Sequence, residues 1–391
     1  MIEKKINFSK MQSKNSILLL GPSHPYRGGI AETQNEFAMT LKKLNYQVYV
    51  WTFKFQYPNI IFPGKTQLSE DLKPNGLNIE RKIHSMNPIN WIKLSNEINR
   101  IKPKYLFIRY WTPFLAPCWF SIGKRISSQT KIIGLVDNWI PHERRFSDNF
   151  LNNLFQKTCN CFITLSSYVS NQIKQCSSKE ILPLFHPINN FLPDTIDEKK
   201  AQEKLCLNHD KKYILFAGLI REYKGLDMLI DAFKKISDEN QELVLLIAGE
   251  FYKNKSAYIK QIKNYEIQNK VKIFDHFQTK DKLRDLFCAS KVVVQPYKTA
   301  SQSGITPLAY KYLKPVVTTN IPGLSNQILE DKTGVICEIN PSSIADGIKK
   351  AIVTKNYQEM KNQILLRRKY YTWEKFCIDT MNFIESINLK P

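Results

Sequence analysis

Two stretches of this sequence combine cations or hydroxyls with glycine in a pattern suited to holding a diphosphate. The first is Leu219-Ile220-Arg221-Glu222-Tyr223-Lys224-Gly225-Leu226-Asp227, directly after the apolar run Tyr213–Gly218. An Arg and a Lys three residues apart supply a guanidinium that forks onto two oxygens and a compact ammonium beside it. The second runs from Pro296 to Thr306, after Val292–Gln295, and contains Ser301-Gln302-Ser303-Gly304-Ile305 ahead of a helix-like run, Pro307 to Tyr312. A helix start presents unbonded N–H groups and the positive end of its dipole to an anion. From spacing alone, a solvated turn reads the Arg221/Lys224 loop equally well. A third loop, Gly21 to Gly29, lacks GxGxxG and GxxxxGKS spacing, so it specifies neither a nicotinamide nor a P-loop site. Its Gly28-Gly29 pair still permits close backbone approach to a ligand.

Metal chemistry finds little support. No Asp-x-Asp sequence occurs, the six His are dispersed, and none of the eight Cys belongs to a CxxC pair. The reading is of no metal and no cofactor, with buried or indifferent thiols in a reducing compartment.

Loops of this kind need strands behind them and helices ahead. Ser16–Leu20 is a short apolar run that stops at Gly21, and Ile30 to Leu44 has helical apolar spacing. Gln47 to Phe53, Tyr105–Arg109, Lys131–Val136 and Cys161–Leu165 repeat the strand pattern. The stretch His186 to Glu203, with Pro187 and Pro193, breaks the rhythm and reads as a linker. Beyond it Tyr213–Gly218, Leu243–Ala248, Val271–Phe274, Val292–Gln295 and Pro315–Thr319 are strand-like, and Leu226–Ile236 is an amphipathic helix. The expected fold class is α/β: two Rossmann-like, doubly wound domains facing each other across a cleft, with ligands beyond the carboxyl ends of the strands. The expected divisions are 1–190, 191–370, and a C-terminal helix at 371–391 that packs back on the first domain.

At 391 residues the chain is too long for one core, and 43% hydrophobic with 24% charged residues excludes a disordered or fibrous protein. Mean hydropathy is −0.35 and no apolar run of spanning length occurs. With no signal-peptide pattern at the start, the expected location is cytoplasmic. The net charge of +22 is uneven. Residues 1–190 hold 25 Lys/Arg and 11 Asp/Glu, giving +14, and the remaining 32 and 24 give +8. Such a half suits nucleic acid, an anionic membrane or acidic small substrates, and the same excess also follows from a Lys-rich composition. RNA-recognition patterns are absent, so no nucleic-acid partner is expected.

The second half resembles the donor-binding domain of group 1 glycosyltransferases with the GT-B fold (glycosyltransferase family 4). The resemblance rests on Phe216-Ala-Gly-Leu-Ile-Arg-Glu-Tyr-Lys-Gly-Leu-Asp227, Leu246-Ile-Ala-Gly-Glu250, Pro315-Val-Val-Thr-Thr-Asn-Ile-Pro-Gly-Leu324 and Asp331-Lys-Thr-Gly-Val335. The first half is similar to the acceptor domain through Gly28-Gly29 and Val136-Asp-Asn-Trp-Ile-Pro-His-Glu143. Two departures stand out. Leu219 occupies the position where many members carry Arg, and Ala300 and Leu308 replace a pair of glutamates, as in a subset of the family.

The resemblance implies metal-free, retaining transfer of a sugar from a nucleotide-diphosphate sugar acting as co-substrate. Arg221, Lys224 and the N–H groups near Gln302, Ser303, Gly304 and Ile305 would meet the departing diphosphate, with Gly29 close by. His276 and Phe277 would lie against the nucleobase. Asp137, His142 and Glu143 would orient or deprotonate an acceptor hydroxyl, or hold structure instead. Arg109, Arg144 and Arg145 would suit a polyprenyl-diphosphate-linked or polysaccharide acceptor on the inner, anionic face of the cell membrane. A sugar-nucleotide epimerase of the same fold and a non-catalytic carbohydrate-binding relative are the alternatives.

Overall fold

The computed structural model describes residues 15–58, 67–69, 72–141 and 145–387. The chain divides into two units, Met1–Phe185 with Trp373–Pro391, and His186–Thr372. The expected boundaries at 190/191 and 370/371 lie five and two residues away from these divisions.

The first unit holds seven parallel strands, β1 (Ser16–Leu20), β2 (Gln47–Phe55), β3 (Asn78–His84), β4 (Tyr105–Tyr110), β5 (Lys131–Val136), β6 (Cys161–Thr164) and β7 (Ile181–Pro183). Their order is β3-β2-β1-β4-β5-β6-β7. The chain steps one way from β1 to β2 and the other way from β3 onward. Right-handed crossovers therefore put the helix Gly29–Lys43 on one face and the helices Pro88–Ile101, Ala116–Gly123 and Asp148–Thr158 on the other. Every residue of β1 and β4 is buried, as strands covered on both faces must be. On the first face Phe37 packs edge-on against Phe107 at 5.2 Å and against Phe376 of the helix Trp373–Ser386 at 5.8 Å. On the second face Leu94, Ile98, Trp119, Ile122 and Phe155 fill one core. Burying each such side chain contributes about 1.5–3 kcal/mol before entropy is counted.

The second unit has six parallel strands, β8 (Lys212–Ala217), β9 (Leu243–Ala248), β10 (Val271–Phe274), β11 (Val292–Gln295), β12 (Val316–Thr319) and β13 (Gly334–Cys337). Their order is β10-β9-β8-β11-β12-β13, again doubly wound. The helix Leu226–Glu239 buries Leu226, Leu229, Ile230, Phe233 and Ile236 against this sheet. Both units are Rossmann-like α/β layers.

Two features depart from the sequence reading. The stretch taken as a linker contains a helix, Glu198–Lys204, capped by Asp197, whose carboxylate accepts from the Lys199 and Lys200 N–H groups. Its sequence EKKAQEK buries little besides Ala201 and Gln202, so no apolar period marked it. The edge strand β3, NIERKIH, is also largely polar, because one neighbour and much solvent suffice for it. All eight cysteines are free thiols, six of them buried. Burial pushes the Cys118 and Cys159 thiols well up, which leaves them unreactive.

A buried lysine sits at the opposite end of this sheet from the loops of interest. Lys314, just before β12, donates to the Cys288 carbonyl at 3.0 Å. Burial lowers its pKa to about 8, partly opposed by Glu198. The folded value lies below the unfolded one, so protonation costs stability below about pH 8 and the cost fades as pH rises toward the unfolded value, near 10.4. The melting temperature of the native protein, compared with that of Lys314→Met, is therefore expected to rise between pH 8 and 10. A constant difference across that window would refute the assignment.

Candidate functional site

The loops that follow β8, β9 and β11 meet at the carboxyl edge of the second sheet. Ile220 pairs with Phe251 and donates its N–H to the Glu250 carbonyl at 2.8 Å, joining the loops after β8 and β9. Lys298 donates its N–H to the Tyr223 carbonyl at 2.7 Å, and its ammonium pairs with Asp227 at 2.7 Å, joining the loops after β8 and β11. Gly225 makes that approach possible. At φ 67° a Cβ there would lie 1.9 Å from the Pro296 carbonyl oxygen. The two loops singled out in the sequence thus belong to one site.

Lys224 ends the short 3-10 turn Glu222–Lys224. Its ammonium lies 5.1 Å from the Tyr297 ring centroid and against Gly218, where φ is 106° and a Cβ would stand 2.9 Å from Nζ. No carboxylate of the described residues pairs with it. Burial lowers its pKa, Tyr223 opposes that, and the Arg221 charge adds to it. Part of the side chain still meets solvent, while the ammonium end sits among Gly218, Tyr297 and the neighbouring guanidinium. A cation so placed, without a counter-charge, favours an anion arriving from outside. Arg221 lies 4.9 Å over the Tyr252 ring and 5.7 Å over Tyr223, which aligns its fork.

Next to Tyr297, Ser303 is tightly held. Its Oγ accepts from Gln295 Nε2 at 3.1 Å and from the Ile305 N–H at 3.2 Å, and lies 3.5 Å from Tyr297 Oη. Burial raises the Tyr297 pKa to about 12, with the Ser303 bond pulling it down, so the phenol stays neutral. Gln295 was missed in the sequence. It is buried at the end of β11, and its Oε1 accepts from Thr306 Oγ1 at 3.2 Å, so one amide fixes both hydroxyls. A polar residue closing the run VVVQ was the available sign.

One expectation changes here. The helix Ile305–Lys311 has seven residues, and its first N–H is already donated to Ser303 Oγ. Ile305 therefore offers its side chain, 3.4 Å from the would-be Cβ of Gly218, rather than its N–H. Gln302 is half-buried and Gly304 exposed, and a Cβ on Gly304 would lie 3.6 Å from His186 Nε2. His186 is a neighbour of the site that the sequence placed merely in a linker.

His276 and Phe277 follow β10, two strands from β8, and both are substantially exposed. Their loop is closed by the Gln278 amide, which donates to the Phe274 and His276 carbonyls at 3.1 and 2.6 Å. Asp275 pairs with Lys255, whose hydrogen bond holds that carboxyl below its usual range.

In the first unit, Gly29 begins the helix Gly29–Lys43, and nothing lies within 4 Å of a Cβ built there. Asp137 is not placed to serve as an acceptor base. It is buried and takes both the Nε and Nη2 bonds of Arg109, which also donates to Thr33 Oγ1 at 3.0 Å. Arg109 is 1% exposed, so it cannot meet an anionic surface either. These two residues knit β4, the loop after β5 and the helix Gly29–Lys43 together. His142, Glu143 and Arg144 lie outside the described residues. Arg145 is exposed and its N–H donates to Asp148 at 2.7 Å.

Residues 197–364, which contain Arg221, Lys224, Gln295 and Ser303, match the family described as glycosyl transferases group 1. Part of the chain is similar to the putative glycosyltransferase YtcC of Bacillus subtilis, 29% identical over 276 residues, covering 64% of this chain and 65% of that one. The chain spans from 46% to 65% of the length of the curated relatives it matches. Among solved structures, sucrose-phosphate synthase from Thermosynechococcus elongatus superposes with a TM-score of 0.76 at 13% identity, covering 95% of this chain and 98% of that one. HepE of Anabaena, solved in complex with UDP-glucose, gives 0.72 at 14% identity, covering 95% and 100%. The fold is GT-B, and the segment that matches the family model lies within its second Rossmann-like unit.

Proposed function

We propose that this protein is a glycosyltransferase that moves a sugar from a nucleoside-diphosphate sugar to an acceptor hydroxyl. The observation that carries the reading is the Lys224 ammonium, part-buried with no carboxylate partner among the described residues, near Arg221 and over the ring of Tyr297, whose hydroxyl lies 3.5 Å from Ser303 Oγ. In this reading the diphosphate supplies the missing counter-charge, and both cations strengthen their hold as charge develops on the leaving oxygen. The uridine nucleotide bound by HepE favours a uridine donor, with the base near His276 and Phe277. The test is to incubate the protein with UDP-, GDP- and ADP-sugars and measure nucleotide release, with a thermal shift for each free diphosphate. A stabilising shift with one diphosphate and release from its sugar supports the reading. No shift and no release with any of them overturns it.

Transfer with retained configuration fits the resemblance to family 4 and needs no dedicated base, consistent with Asp137 being taken up by Arg109. With two cations at the leaving group, the reaction is expected to run without a divalent metal. Full turnover should persist in excess chelator. Loss of activity on chelation, restored by magnesium or manganese, would show that the cations do not suffice. The acceptor is read as a lipid-linked or growing polysaccharide reached from the cytoplasmic membrane face, on the strength of the basic first half.

A further inference from the structure

We propose that β13 is the seat of a second copy of this chain, the two β13 strands pairing antiparallel about a two-fold axis through Val335. β13 is the last strand of the second sheet, so one side of its ladder is open. Thr333 and Cys337 give their carbonyls to the N–H groups of Val316 and Asn320 on the β12 side, at 3.3 and 2.7 Å. Alternation along the strand therefore turns the N–H and C=O groups of Gly334 and Ile336 outward.

Open edges are usually blocked by a charge or a proline. β3 carries Glu80, Arg81 and Lys82, β7 ends on Pro183, and β10 carries Lys272. β13 reads Gly334-Val-Ile-Cys337 and has neither device. Beside it lies a groove of about 340 Å³ whose apolar lining is Ile328, Leu329, Val335, Ile336 and Met360. Leu329 is 66% exposed, and Ile339, two residues beyond the strand, 45%.

Brevity alone can leave an edge unguarded, since a strand of four residues is a poor template. β10 is as short, yet it keeps its lysine. Charge is what selects a second copy as the occupant. Lys332 stands just before the strand and Glu338 just after it, both exposed and neither in an ion pair among the described residues. With Val335 on the axis, Gly334 of each copy meets Ile336 of the other as a hydrogen-bonded pair, which uses every outward group of the two strands. The same register brings Lys332 of each copy to Glu338 of the other, so one edge supplies both signs and satisfies itself twice. A strand pair is small beside the roughly 800 Å² per copy of a standard interface, so a dissociation constant on the order of 10 µM is expected. β13 lies three strands from β8, so the pairing leaves the Lys224 loop untouched and does not depend on the donor reading.

The experiment is sedimentation velocity of the full chain from about 1 to about 100 µM, with the melting temperature of each variant recorded beside it. A monomer–dimer equilibrium is expected. Ile336→Pro removes an outward N–H that the sheet itself does not use, so it should abolish the dimer and leave melting close to native. Lys332→Glu and Glu338→Lys, made singly, set like charges opposite each other twice per dimer and should each weaken association about tenfold. The joint exchange Lys332→Glu/Glu338→Lys should restore it to within about threefold, which a merely structural effect of either change would not do. Should Ile336→Pro fail to fold, the exchange decides alone. A chain that stays monomeric throughout would overturn the proposal and leave the edge to a strand of another protein. A dimer indifferent to Ile336→Pro, or one that the joint exchange does not recover, would overturn it as well.

Discussion

Lys224→Ala is expected to lower turnover about 10²–10³-fold while leaving the fold intact, as loss of a preorganised leaving-group stabiliser does. The second half of that statement follows from the same geometry as the first. Among the described residues Lys224 has no carboxylate partner, and burial already lowers its pKa, so removing the ammonium strands no buried charge. Melting temperature is therefore expected to change little, and the loss should fall on kcat more than on KM. Arg221→Ala should behave alike, with a larger part of its loss in donor binding because the guanidinium is already aligned between Tyr223 and Tyr252. A pH profile gives an independent check. The cationic form is the useful one, so kcat/KM should decline on the alkaline side below the range of an ordinary lysine. Native turnover in Lys224→Ala would remove this loop from the mechanism.

The largest stability effect is expected at the Arg109–Asp137 pair. Arg109→Ala leaves the Asp137 carboxylate buried without its partner, which costs about 3–5 kcal/mol. For a unit of this size that is roughly a 10 °C fall in melting temperature. Asp137→Ala should cost as much, since it strands a guanidinium that is almost wholly buried. The joint replacement Arg109→Met with Asp137→Leu should recover most of the loss, because no uncompensated charge remains. Scanning calorimetry of the three variants decides it. Equal melting of native and Arg109→Ala proteins would mean the pair is not the clamp its bonds describe.

Much of the second unit was legible in residue order. β9 begins and ends where its apolar run does, since a strand buried on both faces must be apolar throughout and must stop where polar loop residues start, and β11 departs from its run only at Gln295. The Arg221/Lys224 spacing carried its chemistry for a similar reason: a short loop after a strand keeps near neighbours in sequence near in space. Elements stabilised otherwise were harder to read. The helix Glu198–Lys204 stands on an Asp197 cap and the Lys291–Glu198 ion pair rather than on an apolar stripe, and β3 needs one neighbour and little burial.

Read as a string, Arg109 and Asp137 are two basic and acidic residues near strand ends, suited to ligand or solvent. Their sequence separation of 28 residues hides that parallel pairing of β4 with β5 brings the two strand ends together. The same holds for Gln295, Ser303 and Thr306, whose mutual bonds consume the Ile305 N–H that residue order alone left free for an anion. Composition and periodicity determined that this chain builds two parallel α/β layers and puts two cations beyond one strand. Which polar groups remain available for chemistry is a matter of which have already found partners, and hydrogen bonds across tens of residues are settled in the folded protein alone.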